Sequence, residues 1–269
     1  MIPTDYHLHS TCSDDGHASV VEMCEAAVQA GLRDVCFTEH LDFDRSDPGY
    51  GFFDYAAFAA AVDEARARYA GRLVIRKGIE FDYRRAYGVE PGEYLAAMDF
   101  DFVMGSVHTA AGVPIYGLSA EELAALDLRD LEREYLAETV ALVASGWCQG
   151  LGHFDYVFKQ APLLVEPYRD AAYWAEVEKI LAACVAGGVA LEVNTHHVLD
   201  RGMGLAADGE ILRRYRRLRG RRVTVGSDAH RPGDVAHAFP DAEQALREAG
   251  FREVTGYDRG RPYAVPLQS

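Results

Sequence analysis

Asp5-Tyr6-His7-Leu8-His9-Ser10-Thr11-Cys12-Ser13-Asp14-Asp15-Gly16 stands almost at the start of the 269-residue chain. Residues 2–8 read as a short strand. His7 and His9 are two apart, so on a strand they point to the same side. Two imidazoles on one side, followed by a turn carrying two carboxylates, form the start of a metal site. A lone His-x-His is a weak signal, shared with surface and capped histidines. Its meaning depends on where the other histidines fall.

Outward from that stretch, strand and helix signals alternate. Residues 20–30 have helical spacing, closed by Gly31; residues 34–38 form a short buried strand with Glu39-His40 at its end. Residues 41–55 read as an acidic, glycine-containing loop, after which Asp54 caps a helix to about Tyr69. Further strands are expected at 73–81, 100–107, 189–194 and 222–226, with another short one ended by Gly150-Leu151-Gly152-His153, and further helices at 94–98, 131–144, 171–186, 210–218 and 241–249. This gives seven strand–helix units, and such alternation argues for parallel strands with helices outside. No repeat, low-complexity segment or linker divides residues 1–269, so one domain is expected. A single α/β barrel of roughly 250 residues is a standard solution at this length.

Composition narrows the function. Lys plus Arg is 27 and Asp plus Glu is 42, a formal charge of −15. Long nucleic acid and anionic membrane surfaces both call for Lys and Arg, so neither is an expected partner. The arginines crowded at 213–222 read as a solvated helix face. The five cysteines are odd in number and contain no Cys-x-x-Cys, which fits a reduced cytoplasmic protein. There is no basic region followed by an apolar stretch at the N-terminus and no apolar run of membrane-spanning length.

The chemistry lies at the strand ends. His7 and His9 follow the first strand, His40 the second, Glu80 the third, His108 the fourth, His153 the fifth, and Asp228 with His230 the last. In a parallel barrel these ends converge on one face, and that face carries the active site. Each histidine alone has an ordinary alternative as a capped or core residue; six of the ten at strand ends is a different matter. All donors are imidazole or carboxylate, a set that suits zinc, iron, manganese or nickel. There are too many for one ion. Two or three clustered divalent transition ions fit better, zinc first, with iron or manganese as alternatives. Clustered ions lower the pKa of a bound water and clamp phosphoryl oxygens during phosphate-ester hydrolysis.

Six segments then acquire a common meaning: Asp5-Tyr6-His7-Leu8-His9-Ser10, Thr38-Glu39-His40, Gly78-Ile79-Glu80, Gly105-Ser106-Val107-His108, Leu151-Gly152-His153-Phe154-Asp155 and Gly226-Ser227-Asp228-Ala229-His230-Arg231-Pro232. In order and spacing this series resembles the PHP (polymerase and histidinol phosphatase) superfamily, and within it the monofunctional histidinol-phosphate phosphatases. The resemblance implies a distorted (β/α)7 barrel with a trinuclear metal centre. It gives His7, His9, Glu80 and Asp228 to one metal. Glu80 bridges to a second, completed by His108 and His153, and Asp15, His40 and His230 hold the third. Asp14, whose alternative is a turn cap, rivals Asp15, and His17 is a weaker rival. For phosphate contacts the resemblance points to Lys159 and Arg201. The chain departs from the family there: Phe158 takes one position of a basic pair, and Asn194-Thr195-His196-His197-Val198-Leu199-Asp200-Arg201 is two residues longer than the usual segment. His196 and His197 are read as loop residues.

The expected function is hydrolysis of L-histidinol phosphate to histidinol and phosphate by attack of a metal-activated hydroxide, with Asp228 and Glu80 at the centre of catalysis. Asp228 orients the hydroxide and accepts its proton; Asp42 and Asp44 are candidates to meet the substrate ammonium. The alternative is a related phosphoesterase acting on another small ester, such as a nucleotide or cyclic phosphodiester. A non-catalytic metal-binding scaffold is disfavoured by the complete donor set, and a DNA exonuclease by the charge.

Overall fold

The computed structural model describes residues 2–116, 118–155, 169–200 and 204–267. Lys159 and Arg201 lie outside these described residues.

Seven strands form one parallel sheet: β1 (Thr4–Leu8), β2 (Asp34–Leu41), β3 (Val74–Asp82), β4 (Phe102–Ser106), β7 (Gly150–Leu151), β8 (Ala190–Asn194) and β9 (Val223–Gly226), in that spatial order, while β5 (Thr109–Ala110) and β6 (Val113–Pro114) form a short antiparallel pair outside it. The last strand returns beside the first. Leu8 bridges Ala229 in parallel, His9 N–H donates to Ala229 C=O at 3.0 Å, and Asp228 N–H donates to His7 C=O at 2.8 Å. The sheet thus curls into a nearly closed barrel, as the alternation of strands and helices leads one to expect. Strands of a parallel sheet are covered on both faces, and β1, β4, β8 and β9 are buried at every residue.

The outer helices start where their caps are. α1 (Val20–Gln29) opens on a Ser19/Glu22 capping box, and the short α4 (Ala120–Ala124) on a Ser119/Glu122 one. Asp54, Asp127, Asp170 and Asp208 each accept two backbone N–H groups at the starts of α2 (Tyr55–Arg68), α5 (Leu128–Ser145), α6 (Ala171–Gly187) and α8 (Gly209–Arg217). Gly146 and Gly188 stop α5 and α6 in the left-handed region, where a side chain would be strained. The arginine-rich α8 is a solvated face laced by ion pairs: Arg214 meets Glu178 at 2.6 Å and Glu210 at 2.8 Å.

Several features depart from the sequence reading. β1 carries an irregularity: from Asp5 to Leu8 it advances three residues while β2 advances two, from Val35 to Phe37. This bulge sends both Tyr6 and His7 into the barrel. Helix α3 (Glu90–Ala97) begins four residues before the expected 94, with Pro91 in its first turn. A short helix, α7 (His196–Asp200), stands where a loop was expected. Finally, an antiparallel hairpin of β10 (Glu253–Asp258) and β11 (Arg261–Pro266) closes the N-terminal end of the barrel. Pro262 and Pro266 obscured β11, because proline in a strand is tolerated only at an edge. Among the described residues no helix is long and apolar enough to cross a membrane.

Candidate metal centre

Glu80 emerges near the C-terminal end of β3 and is 1% exposed. Its two oxygens face different groups. Oε2 lies 3.2 Å from His7 Nε2, 3.6 Å from His9 Nε2 and 3.2 Å from His40 Nδ1. Oε1 lies 3.0 Å from His153 Nε2 and 3.6 Å from His108 Nε2, and accepts the Ser106 hydroxyl at 2.6 Å. Asp228 adds its Oδ1 to the first group, 3.5 Å from His7 Nε2 and 3.3 Å from His9 Nε2. Its other oxygen accepts from Asn194 Nδ2 at 3.2 Å. Asp228 holds a left-handed backbone (φ 55°), rare for a side chain other than glycine and common at functional sites.

The outer part of the cluster is formed by His40, His230 and Asp15. Asp15 Oδ2 lies 3.1 Å from His230 Nε2 and 3.6 Å from His40 Nε2. His230 Nδ1 donates to the Asp228 carbonyl at 3.0 Å, which leaves Nε2 as the nitrogen presented to Asp15. Of the two neighbouring carboxylates, Asp15 is the one beside these imidazoles. Asp14 faces the turn at Gly49, and exposed His17 stands against Arg231 at 3.2 Å. The rings of His40 and His230 both stack on His9 with centroids 4.2 Å apart.

The electrostatics favour cations. Burial alone would raise Glu80 and Asp228, yet His7 and the imidazoles around them hold both well below the usual carboxylate range. Against the same cost of burial, Asp228, Glu192 and Glu80 hold His7 well above its ordinary value. Burial and then the neighbouring His230 and His40 push His9 well below. Burial also takes His108 down to about 4. Among the described residues no Lys or Arg forms an ion pair with Glu80 or Asp228. Nitrogen and oxygen donors from His7, His9 and Glu80, from Glu80, His108 and His153, and from His9, His40 and His230 lie within 4.8 Å of one another in each group. Buried imidazoles and carboxylates at these separations, with His9 Nε2 making no well-formed hydrogen bond, suit divalent transition ions.

The centre floors a cavity of about 600 Å³. Asp14, Asp42, Asp47, Tyr116, His196 and Arg231 line it with the donors already named. Burial raises Asp42 to about 7, with Asp47, Asp82 and Asp14 adding to the shift over the opposing pull of His40. Asp44 is elsewhere: it pairs with Arg84 at 2.7 Å and accepts from Ser46, so the sequence expectation for it is corrected. His196 is also corrected: it is on the cavity wall, with Nδ1 3.3 Å from the Asp228 carbonyl.

Sequence reasoning missed the buried groups behind the histidines. Glu192 meets His7 Nδ1 at 2.6 Å; Ser13 Oγ lies 3.2 Å from His9 Nδ1 and donates to Glu39 at 2.6 Å; Asp82 accepts His108 N–H at 2.9 Å. Their one sequence signal was a carboxylate inside an otherwise apolar strand, as in Ala190-Leu191-Glu192-Val193.

Known proteins match along most of the chain. The PHP domain model matches residues 5–196. A protein of Deinococcus radiodurans named a probable histidinol-phosphatase is 31% identical over 93% of this chain and 95% of its own. The histidinol-phosphatase of Lactococcus lactis is 26% identical over 96% of this chain and 95% of its own. The crystal structure of histidinol phosphate phosphatase from Lactococcus lactis, complexed with zinc, L-histidinol and phosphate, superposes with a TM-score of 0.84 at 26% identity, covering 97% of this chain and 98% of that one. The barrel, the strand-end donors and the family match over residues 5–196 lead to one conclusion: this chain belongs to the PHP domain family.

Proposed function

We propose that the protein is a metal-dependent phosphomonoesterase that hydrolyses L-histidinol phosphate, with residues 1–269 acting as one catalytic unit. The observation that carries this reading is Glu80: one buried carboxylate turns one oxygen to His7, His9 and His40 and the other to His108 and His153. That is the arrangement of a residue shared between two ions, and it lies under a cavity large enough for a small ester.

His7, His9, Glu80 and Asp228 would hold one ion, Glu80, His108 and His153 a second, and Asp15, His40 and His230 a third; zinc suits all three. Bound there, divalent ions supply Lewis-acid stabilisation of phosphoryl charge and a more acidic water. The chain's own groups do the rest. Asp228, steered by Asn194, presents a carboxylate to the cavity and would take the proton of the attacking water. Asp42 offers a carboxylate at the cavity wall, a partner for the substrate ammonium. Lys159 and Arg201 remain the candidates to bind phosphate oxygens. The names of the similar proteins from Deinococcus radiodurans and Lactococcus lactis support the choice of ester. Five free thiols suit a reducing, cytoplasmic setting.

The test is a panel of small esters offered to metal-replete protein. Histidinol phosphate should have the highest kcat/KM, above nucleoside monophosphates, cyclic phosphodiesters and aryl phosphates. A clear preference for a nucleotide or cyclic diester would replace this substrate with the related phosphoesterase reading.

A further inference from the structure

Glu192 stands in the middle of β8 and is completely buried. Each of its oxygens has its own partner. Oε1 lies 2.6 Å from His7 Nδ1, and Oε2 accepts the backbone N–H of His153 at 2.6 Å. Asn194 Nδ2 lies 3.4 Å from both. No Lys or Arg among the described residues forms an ion pair with it. A carboxylate in such a place is costly unless its hydrogen bonds are complete. The neighbouring strand makes room for the pair: a Cβ on Gly226 would lie 2.3 Å from Glu192 Oε1 and 2.3 Å from His7 Cβ.

We infer that Glu192 is a positioning residue of the metal centre, fixing His7 with its proton on Nδ1 and Nε2 turned to the ion, and tying His7 on β1 to His153 after β7. A carboxylate oxygen accepts, so the ring nitrogen facing it carries the proton. The opposite nitrogen is then the one beside Glu80 and Asp228, at 3.2 and 3.5 Å. The His153 N–H contact extends the same anchor to the second donor group. One carboxylate therefore sets the relative placement of ligands on both sides of Glu80. The inference rests on the metal-centre reading and not on the identity of the ester.

The chemistry of the substitution Glu192→Gln makes a sharp test. Glutamine has one acceptor oxygen where Glu192 uses two. The His153 backbone N–H cannot change its role, so the amide oxygen goes to it. The amide NH2 then faces His7 Nδ1, which must become an acceptor, and the ring proton moves to Nε2, where it blocks ligation. Zinc affinity, measured by chelator competition, should fall by about 10–100-fold, the range for groups that orient metal ligands. At saturating zinc KM for the ester should stay within about twofold of the unmodified value, because Glu192 is not in the cavity wall. In nitrogen-15 spectra of the zinc-loaded unmodified protein, His7 should carry its proton on Nδ1. Zinc affinity within about twofold of the unmodified protein would overturn the inference. So would a His7 proton on Nε2 in the unmodified protein, a result available even where the variant does not fold. Unmodified protein that binds zinc but prefers another ester would remove only the proposed substrate. Unmodified protein that takes up no zinc would overturn both.

Discussion

Glu80 touches both halves of the donor cluster, so its loss should be felt twice. In Glu80→Gln the amide keeps one acceptor and places an NH2 where an imidazole nitrogen or an ion belongs. Hydrolysis is expected to fall by more than about 100-fold, beyond the 10–100-fold typical of outer partners, and metal per chain, read by elemental analysis, should fall with it. Asp42 should behave differently, because it faces the cavity and not the donors' core. Asp42→Asn should lower kcat/KM for histidinol phosphate by about tenfold, roughly 1.4 kcal/mol, and leave an uncharged aryl phosphate within about twofold. Equal losses on the two esters would remove Asp42 from ammonium recognition. At this scale the strand-end donors were legible, because periodicity and barrel geometry place strand ends together whatever the details. The anchoring groups were not. Glu192, Glu39 and Ser13 act through contacts between residues far apart in sequence, and a carboxylate inside a strand carries no mark of what it faces.

The β10–β11 hairpin is the element whose role is furthest from catalysis. It caps the barrel at the end opposite the metal centre. Tyr6 Oη accepts Tyr257 N–H at 2.8 Å, the Tyr6 ring packs edge-on against Phe102, and the Tyr263 hydroxyl donates to the buried Asp34 carboxylate. Tyr263→Phe removes a donor from a carboxylate that burial already raises and leaves Arg76, at 3.5 Å, among its few partners. The expected cost is about 1–3 kcal/mol, measured by urea unfolding, with kcat at saturating metal unchanged. The hairpin also marks where sequence reading ran out. Its strands lack a long apolar run and carry two prolines, so local pattern argued against them. What holds them is packing against the barrel floor, visible only once the barrel exists. The bulge in β1 is similar: alternation put His7 and Tyr6 on opposite sides, and closing the barrel placed both inside.

For the molecule as a whole, buried hydroxyls set an alkaline limit. Burial, with Asp34 adding to it, raises Tyr263 to about 12; burial raises Tyr6, Tyr173, Tyr215 and Tyr257 as well. An unfolded tyrosine loses its proton near 10. Between these values the unfolded chain holds fewer protons than the folded one, so stability falls as pH rises. The contribution of Tyr263 is complete below about pH 10 and is lost on the way to about 12. Ultraviolet absorbance of tyrosinate should therefore rise in two parts, a gradual one from exposed residues and a cooperative one coincident with unfolding. The same closed architecture gathers the donors from both ends of the sequence, and the account stands on ions binding there. Its most direct test is to strip the protein with chelator and follow phosphate release from histidinol phosphate as zinc is returned. The expected result is negligible release without metal and full rate at about two to three ions per chain, the number the donor groups accommodate. Full rate in the stripped protein would contradict the account.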